Sequence, residues 1–180
     1  MSPDERDANG ALASDQDAQD RSGGPRKGIS PAASARDTTQ TDADATPARQ
    51  HYDRAIEHHD EGRLARAISE YSEAIRLDPH LSAGYHGRGV ARAESGKYTE
   101  AIADYNRAIE LDSQQPAPFD DLAWLRATCP VEQHRDARAA LAAARRACEL
   151  TEWKEWGCLV TMAAAQAEAG AFEQAVHWQR

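Results

Sequence analysis

Between Ala48 and Asp112 apolar side chains recur at i, i+3, i+4 and i+7 in short runs, broken by Gly62, by Asp78-Pro79 and by Gly96. That spacing gathers them on one stripe of a helix, so each run predicts an amphipathic helix with one buried face. A glycine directly after a run supplies the left-handed backbone of a tight turn, and a proline ring stops the helix before it. The expected unit is a helical hairpin. It repeats: Tyr71-Ser72-Glu73-Ala74-Ile75-Arg76-Leu77-Asp78 aligns with Tyr105-Asn106-Arg107-Ala108-Ile109-Glu110-Leu111-Asp112 at an offset of 34 residues. Gly62 with Gly96, Leu64 with Tyr98, Ala67 with Ala101 and Ile68 with Ile102 keep the same offset, which is the signature of a stacked array.

A third unit is carried by Phe119, Leu122, Ala123, Ala140 and Ala147, and a fourth by Leu159, Met162, Ala163, Gly170, Phe172 and Ala175. From Ala123 to Ala140 is 17 residues where a regular unit needs 12, so an insertion of 5 is expected in the turn around residues 128–134. Small residues allow close approach of helices, and Tyr71 and Tyr105 are expected to fill the space beside them.

These residues resemble the tetratricopeptide repeat family, whose 34-residue pattern has small residues at its positions 8, 20 and 27, an aromatic at 24 and a proline at 32. Ala55, Ala67, Tyr71, Ala74 and Pro79 fill those places in the first unit. Gly89, Ala101, Tyr105 and Ala108 do so in the second, with Ser113 where proline is expected. The strings LAWLRATCP, ACELT and AAAQAEAGAFEQAVHWQ resemble the divergent terminal repeats of bacterial arrays. The resemblance implies an all-α, tetratricopeptide-like helical-hairpin solenoid, a right-handed superhelix, behind a disordered N-terminal tail. The expected organisation is a leader over residues 1–47 and a repeat domain over 48–180, with units at about 48–81, 82–115, 116–155 and an incomplete 156–180.

The leader holds Leu12 and Ile29 as its large aliphatic side chains besides Met1, with no Phe, Tyr, Trp or Val, and 9 acidic against 5 basic residues. Too little apolar surface is present to offset ordering entropy, and disorder is expected. MSPDERDANG opens acidic and never becomes apolar, unlike a secretory signal. No run approaches the ~18 apolar residues of a membrane span. Three cysteines, with no C-x-x-C pair, fit neither a disulfide framework nor a zinc knuckle, and a reducing cytoplasm is the expected location.

In the resembled family the first helix of each unit lines an inner groove where partners bind. Carried onto this chain, the groove positions are Arg49, Tyr52, Asp53, Ile56, His59 and Asp60, then His86, Val90 and Glu94, then Asp120, Trp124 and Thr128, continued by Val160 and Ala164. Tyr52, Ile56, Val90, Trp124 and Val160 would form an apolar stripe with polar flanks, taking an extended or helical peptide. The competing reading makes Ile56 and Val90 packing residues between helices. Family members that grip the terminal carboxylate of heat-shock chaperones use a Lys, Asn, Asn, Lys, Arg set. The equivalent places here are Tyr52, Ile56, Gly87, Ala117 and Asp121, with no cation for a carboxylate, so that adaptor role is not expected.

Charge weighs against nucleic acid. The net is -9 overall and, for residues 48–180, 16 basic against 21 acidic residues, whereas phosphate binding draws on Lys and Arg. RNA binding, as in pentatricopeptide stacks, stands as a disfavoured alternative. His51, His58 and His59 lack the i, i+4 spacing of a ligand pair and read as an exposed, idle face. Cys129, His134 and Asp136 contain the elements of a nucleophile, base and orienter but no Gly-rich nucleophile turn. Cys148 and Cys158 read as small buried apolar groups, and Trp153 and Trp156 as packing between hairpins, with a partner role as the alternative for Trp156. No phosphate-cradling, dinucleotide or common metal string occurs, so no cofactor, metal or enzymatic activity is expected. The sequence ends about nine residues short of a full fourth unit. That leaves two expectations: weak self-association through Phe172, Val176 and Trp178, or a fragment of a longer array.

Overall fold

A computed structural model describes residues 46–170 of the chain. Within them are seven α-helices and a single 3-10 turn: α1 (Pro47–Asp60), α2 (Leu64–Leu77), α3 (Ser82–Glu94), α4 (Tyr98–Leu111), α5 (Pro116–Thr128), the 3-10 turn (Glu132–His134), α6 (Ala137–Leu150) and α7 (Trp156–Glu168). The leader expected over 1–47 lies outside the described residues except at its end, where Thr46 and Pro47 belong to the repeat domain. The Thr46 side chain accepts the Arg49 N–H at 3.3 Å, and Pro47 opens α1, a helix start in which proline loses no useful donor. The second helix expected for unit four, with Phe172, Val176 and Trp178, also lies outside the described residues.

Helices pair as α1–α2, α3–α4 and α5–α6, and each hairpin packs on the next through α2–α3, α4–α5 and α6–α7. The first helices of successive units also touch, α1 with α3, α3 with α5 and α5 with α7, whereas the second helices make no comparable contact. The stack therefore has an inner layer of odd-numbered helices and an outer layer of even-numbered ones, the arrangement of an all-α solenoid.

The first two hairpin turns are closed by the same pair of backbone bonds. Gly62 donates to the His59 carbonyl at 2.8 Å and Arg63 to that of His58 at 2.8 Å, while Gly96 donates to Ala93 at 3.0 Å and Lys97 to Arg92 at 2.8 Å. Both glycines have positive φ, +71° and +76°, as this closure requires. The end of α6 repeats it with ordinary residues. Glu152 donates to Glu149 at 3.1 Å and Trp153 to Cys148 at 2.7 Å, at φ 51° and 61°. An L side chain in the left-handed region costs ~1–2 kcal/mol. Glu152→Gly is expected to raise stability by about 1 kcal/mol, and Gly62→Ala to lower it by a similar amount. Urea unfolding followed by far-UV CD reads both, and a Glu152→Gly midpoint at or below that of the parent would refute the strain.

The α5–α6 connection, residues 129–136, is eight residues long against three at 61–63 and 95–97, which is the expected insertion. It is held down on several sides. The Asp136 N–H donates to the Arg126 carbonyl at 2.9 Å, and the Arg126 guanidinium donates to the His134 carbonyl at 3.2 Å. The His134 ring lies 6.0 Å from that of Tyr98 at the start of α4, and Arg135 pairs with Glu168 at the end of α7.

Alanine dominates the contact surfaces. Ala55, Ala67 and Ala74 in unit one and Ala101 and Ala108 in unit two are fully buried, so neighbouring backbones come close and the tyrosines occupy what remains. Tyr71 is 0% exposed, with its ring centroid 5.7 Å from that of Tyr52. A Cβ added at Gly87 would stand 2.6 Å from the Tyr71 ring, and one at Gly89 would stand 2.8 Å from that of Tyr105.

Candidate functional site

The inner layer presents the face on which the groove was expected. On α1 the Arg49 Nε donates to both Asp53 carboxylate oxygens, at 3.0 and 3.2 Å, and its guanidinium lies 5.5 Å from the Tyr52 ring centroid. Further along α1, His59 Nε2 meets Glu94 Oε2 of α3 at 3.0 Å. One unit on, His86 Nε2 of α3 meets Asp121 Oδ2 of α5 at 2.8 Å. The two contacts share a separation of 35 residues and stitch consecutive inner helices, so successive units are joined by histidine–carboxylate bonds across the face. Asp60 is exposed beside His59.

Tyr52, Ile56 and Val90 lie below that face. Tyr52 is 2% exposed and Ile56 and Val90 are 8% exposed, within the cores of units one to two and of units two to four respectively. They act as packing between helices, the alternative weighed for Ile56 and Val90, and burial raises the Tyr52 phenol's pKa. Asp120 is buried, whereas Trp124, Thr128, Val160 and Ala164 are half-buried. The Thr128 hydroxyl donates to the Trp124 carbonyl at 2.8 Å. The face is therefore more polar than the sequence suggested, with Trp124 its large aromatic.

Arginines on these same helices are drawn elsewhere. Arg54 turns to Glu70 of α2, Arg126 to the inserted turn, and Arg88 and Arg92 to Asp104 of α4. The Asp104 side chain is 5% exposed; Arg88 grips both its oxygens at 2.8 and 2.9 Å, Arg92 bonds one of them, and Arg88 also donates to the Ser72 hydroxyl. This network joins α2, α3 and α4. Neither it nor the His86–Asp121 bond was expected from sequence. The available signal was register: Asp104 falls on the stripe of Ala101 and Ala108, and Arg88 and Arg92 are spaced i, i+4 on the facing helix.

The histidines are not idle. His51 Nδ1 lies 2.7 Å from Glu70 Oε2, His58 accepts from Arg63, and His59 bonds Glu94, so the three engage three different partners rather than one ion. Burial alone would raise the Glu70 pKa, but its bonds to His51 and Arg54 outweigh that and lower it.

The Cys129, His134 and Asp136 combination is not assembled. Cys129 is 1% exposed, His134 lies against Tyr98, and Asp136 caps α6 by accepting the Ala139 N–H at 3.0 Å. Cys148 and Cys158 are buried as expected, and burial pushes the Cys148 thiol up to about 12, with Cys158 beside it as a lesser cause. Such a thiol has almost no thiolate at neutral pH and is a poor nucleophile. Trp153 and Trp156, expected to be packed, are 38% and 63% exposed.

A stack of helical hairpins with an inner polar face and no assembled reactive centre among the described residues defines a repeat solenoid. A family model described as Tetratricopeptide repeat matches residues 48–81, and another described as TPR repeat matches residues 91–123. The chain thus carries tetratricopeptide repeats over residues 48–81 and 91–123. Among solved structures it is similar to the crystal structure of MamA, with a TM-score of 0.64 and 18% identity over 76% of either chain. It is also similar to the TPR2B domain of yeast Sti1, solved as a complex with pHsp70, with a TM-score of 0.54 and 24% identity over 74% of this chain and 98% of that one. At those identities the likeness concerns the fold. No curated protein sequence matches the chain. No helix among the described residues is long and apolar enough to cross a membrane.

Proposed function

We propose that the chain is a non-enzymatic scaffold that takes a peptide segment or a protein surface on the inner face of its repeat stack. The observation that carries this reading is the stitching of that face. His59–Glu94 and His86–Asp121 fix the spacing of three consecutive inner helices, giving a concave surface that is pre-organised, and pre-organisation reduces the ordering cost of binding. The contacting groups are then Arg49, Asp53, Asp60, Glu94, Asp121 and the half-buried Trp124, while Tyr52, Ile56 and Val90 support them from below. Repeat folds host binding far more often than chemistry, and the Sti1 domain it resembles was solved with a bound partner.

Burial of Tyr52 makes Tyr52→Ala a poor test, since it would empty the core beside Tyr71. Trp124→Ala and the exposed Asp53→Ala remove groove contacts at less structural cost. A partner selected from a displayed peptide library on the full chain is expected to lose about tenfold or more in affinity with Trp124→Ala, with far-UV CD unchanged. Selected partners that bind the Trp124→Ala and Asp53→Ala variants as tightly as the parent would place binding off the groove.

A further inference from the structure

The face on which the proposed function rests also carries a charge pattern that narrows the partner. Asp53, Asp60, Glu94, Asp120 and Asp121 lie along α1, α3 and α5 at groove positions, against Arg49, whose guanidinium is already held by Asp53. The other arginines of these helices are committed to Glu70, Asp104 and the inserted turn. Histidines rather than cations face Glu94 and Asp121, so those carboxylates are bonded without a permanent countercharge.

A further feature suits a cationic guest: Trp124 lies one helical turn from Asp120 and Asp121. An indole beside carboxylates is a surface on which a guanidinium or ammonium gains both ion pairing and attraction to the ring face. The same carboxylates would repel the terminal carboxylate that other members of the family grip.

We infer that the inner face binds a Lys/Arg-rich peptide segment in extended form, with its cations paired to Asp60, Glu94 and Asp121 and one of them over Trp124. Four inner helices at ~8–10 Å spacing cover ~30 Å, the length of about ten extended residues. The electrostatic share of the affinity falls with salt because part of the face is wet.

The test uses the full chain and three fluorescein-labelled decapeptides, one with alternating Arg and Leu, one with Glu in place of Arg, and one with Ser in place of Arg, followed by anisotropy at low and high salt. The Arg peptide is expected to bind tightest, and to weaken about fivefold or more on Asp121→Asn and on the exposed Asp60→Asn. Glu73→Gln on the outer face of α2 is expected to leave it unchanged. Thermal midpoints confirm folding, and Asp60→Asn keeps the test open if loss of the His86 bond unfolds Asp121→Asn. Equal or tighter binding of the Ser or Glu peptide, abolished by Trp124→Ala, would overturn the cationic preference and leave the groove reading standing. Arg-peptide binding weakened equally by Glu73→Gln would reduce it to diffuse attraction and overturn the inference. Failure of all three peptides would overturn it too, while the library selection on Trp124→Ala still decides the groove.

Discussion

Asp104→Ala is expected to destabilise the repeat domain by about 3–5 kcal/mol, the largest loss for any single charged side chain here. The carboxylate is 5% exposed and takes three hydrogen bonds from two arginines whose side chains are 15% and 21% exposed. Removing it leaves two guanidinium groups facing each other in a partly dry space between α3 and α4, with no countercharge and little solvent to compensate. Asp104→Asn keeps the shape but loses the charge, and is expected to cost nearly as much. For a chain of this size the loss corresponds to a drop in Tm of about 10 °C. Replacing the whole triad with apolar residues, Arg88→Met, Arg92→Met and Asp104→Leu together, is expected to recover most of it, since the cost lies in the uncompensated charges rather than in a missing attraction. Guanidinium titrations on the three variants read this directly. A loss below about 1 kcal/mol for Asp104→Ala would show that the triad behaves as an exposed surface pair.

Register in one dimension accounts for what sequence could and could not disclose. Gly62 and Gly96, Tyr71 and Tyr105, and the 17-residue gap before Ala140 are properties of spacing along the chain. The hairpins, their turns and the insertion followed from them because helix period and glycine conformation are local physics. His59–Glu94 and His86–Asp121 depend on how far one hairpin rises and rotates on the last, which no local rule supplies. A charge at a buried stripe position looks like any other charge until its partner on the facing helix is known, which is why Asp104 went unseen. Groove positions carried over from the family fall on α1, α3, α5 and α7, but they did not disclose the depth of each side chain. Alanine at the neighbouring positions lets α1 and α3 sink closer, and Tyr52, Ile56 and Val90 go under with them.

That closeness sets the second large effect. Gly87→Ala is expected to destabilise the protein by about 1–3 kcal/mol, even though alanine in place of a helical glycine would by itself stabilise by ~1 kcal/mol. The added methyl would lie 2.6 Å from Cε1 and Cζ and 2.8 Å from the hydroxyl oxygen of Tyr71, and that ring is 0% exposed and lies against Tyr52. The Tyr71 hydroxyl has no hydrogen-bond partner among the described residues, and burial drives its pKa far above the usual phenol range, with Tyr52, Asp60 and Glu94 adding to the effect. Shortening the ring is therefore expected to relieve the clash at small polar cost. In a double-mutant cycle, Tyr71→Leu is expected to be strongly destabilising alone, by about 2–4 kcal/mol, yet to restore part of the loss when combined with Gly87→Ala. A positive coupling of about 1 kcal/mol or more would locate the effect between these two side chains. Additive losses would mean that Gly87→Ala acts through the α3 backbone instead, and a Gly87→Ala variant as stable as the parent would show that α2 and α3 can move apart, contrary to the close approach on which the stack depends.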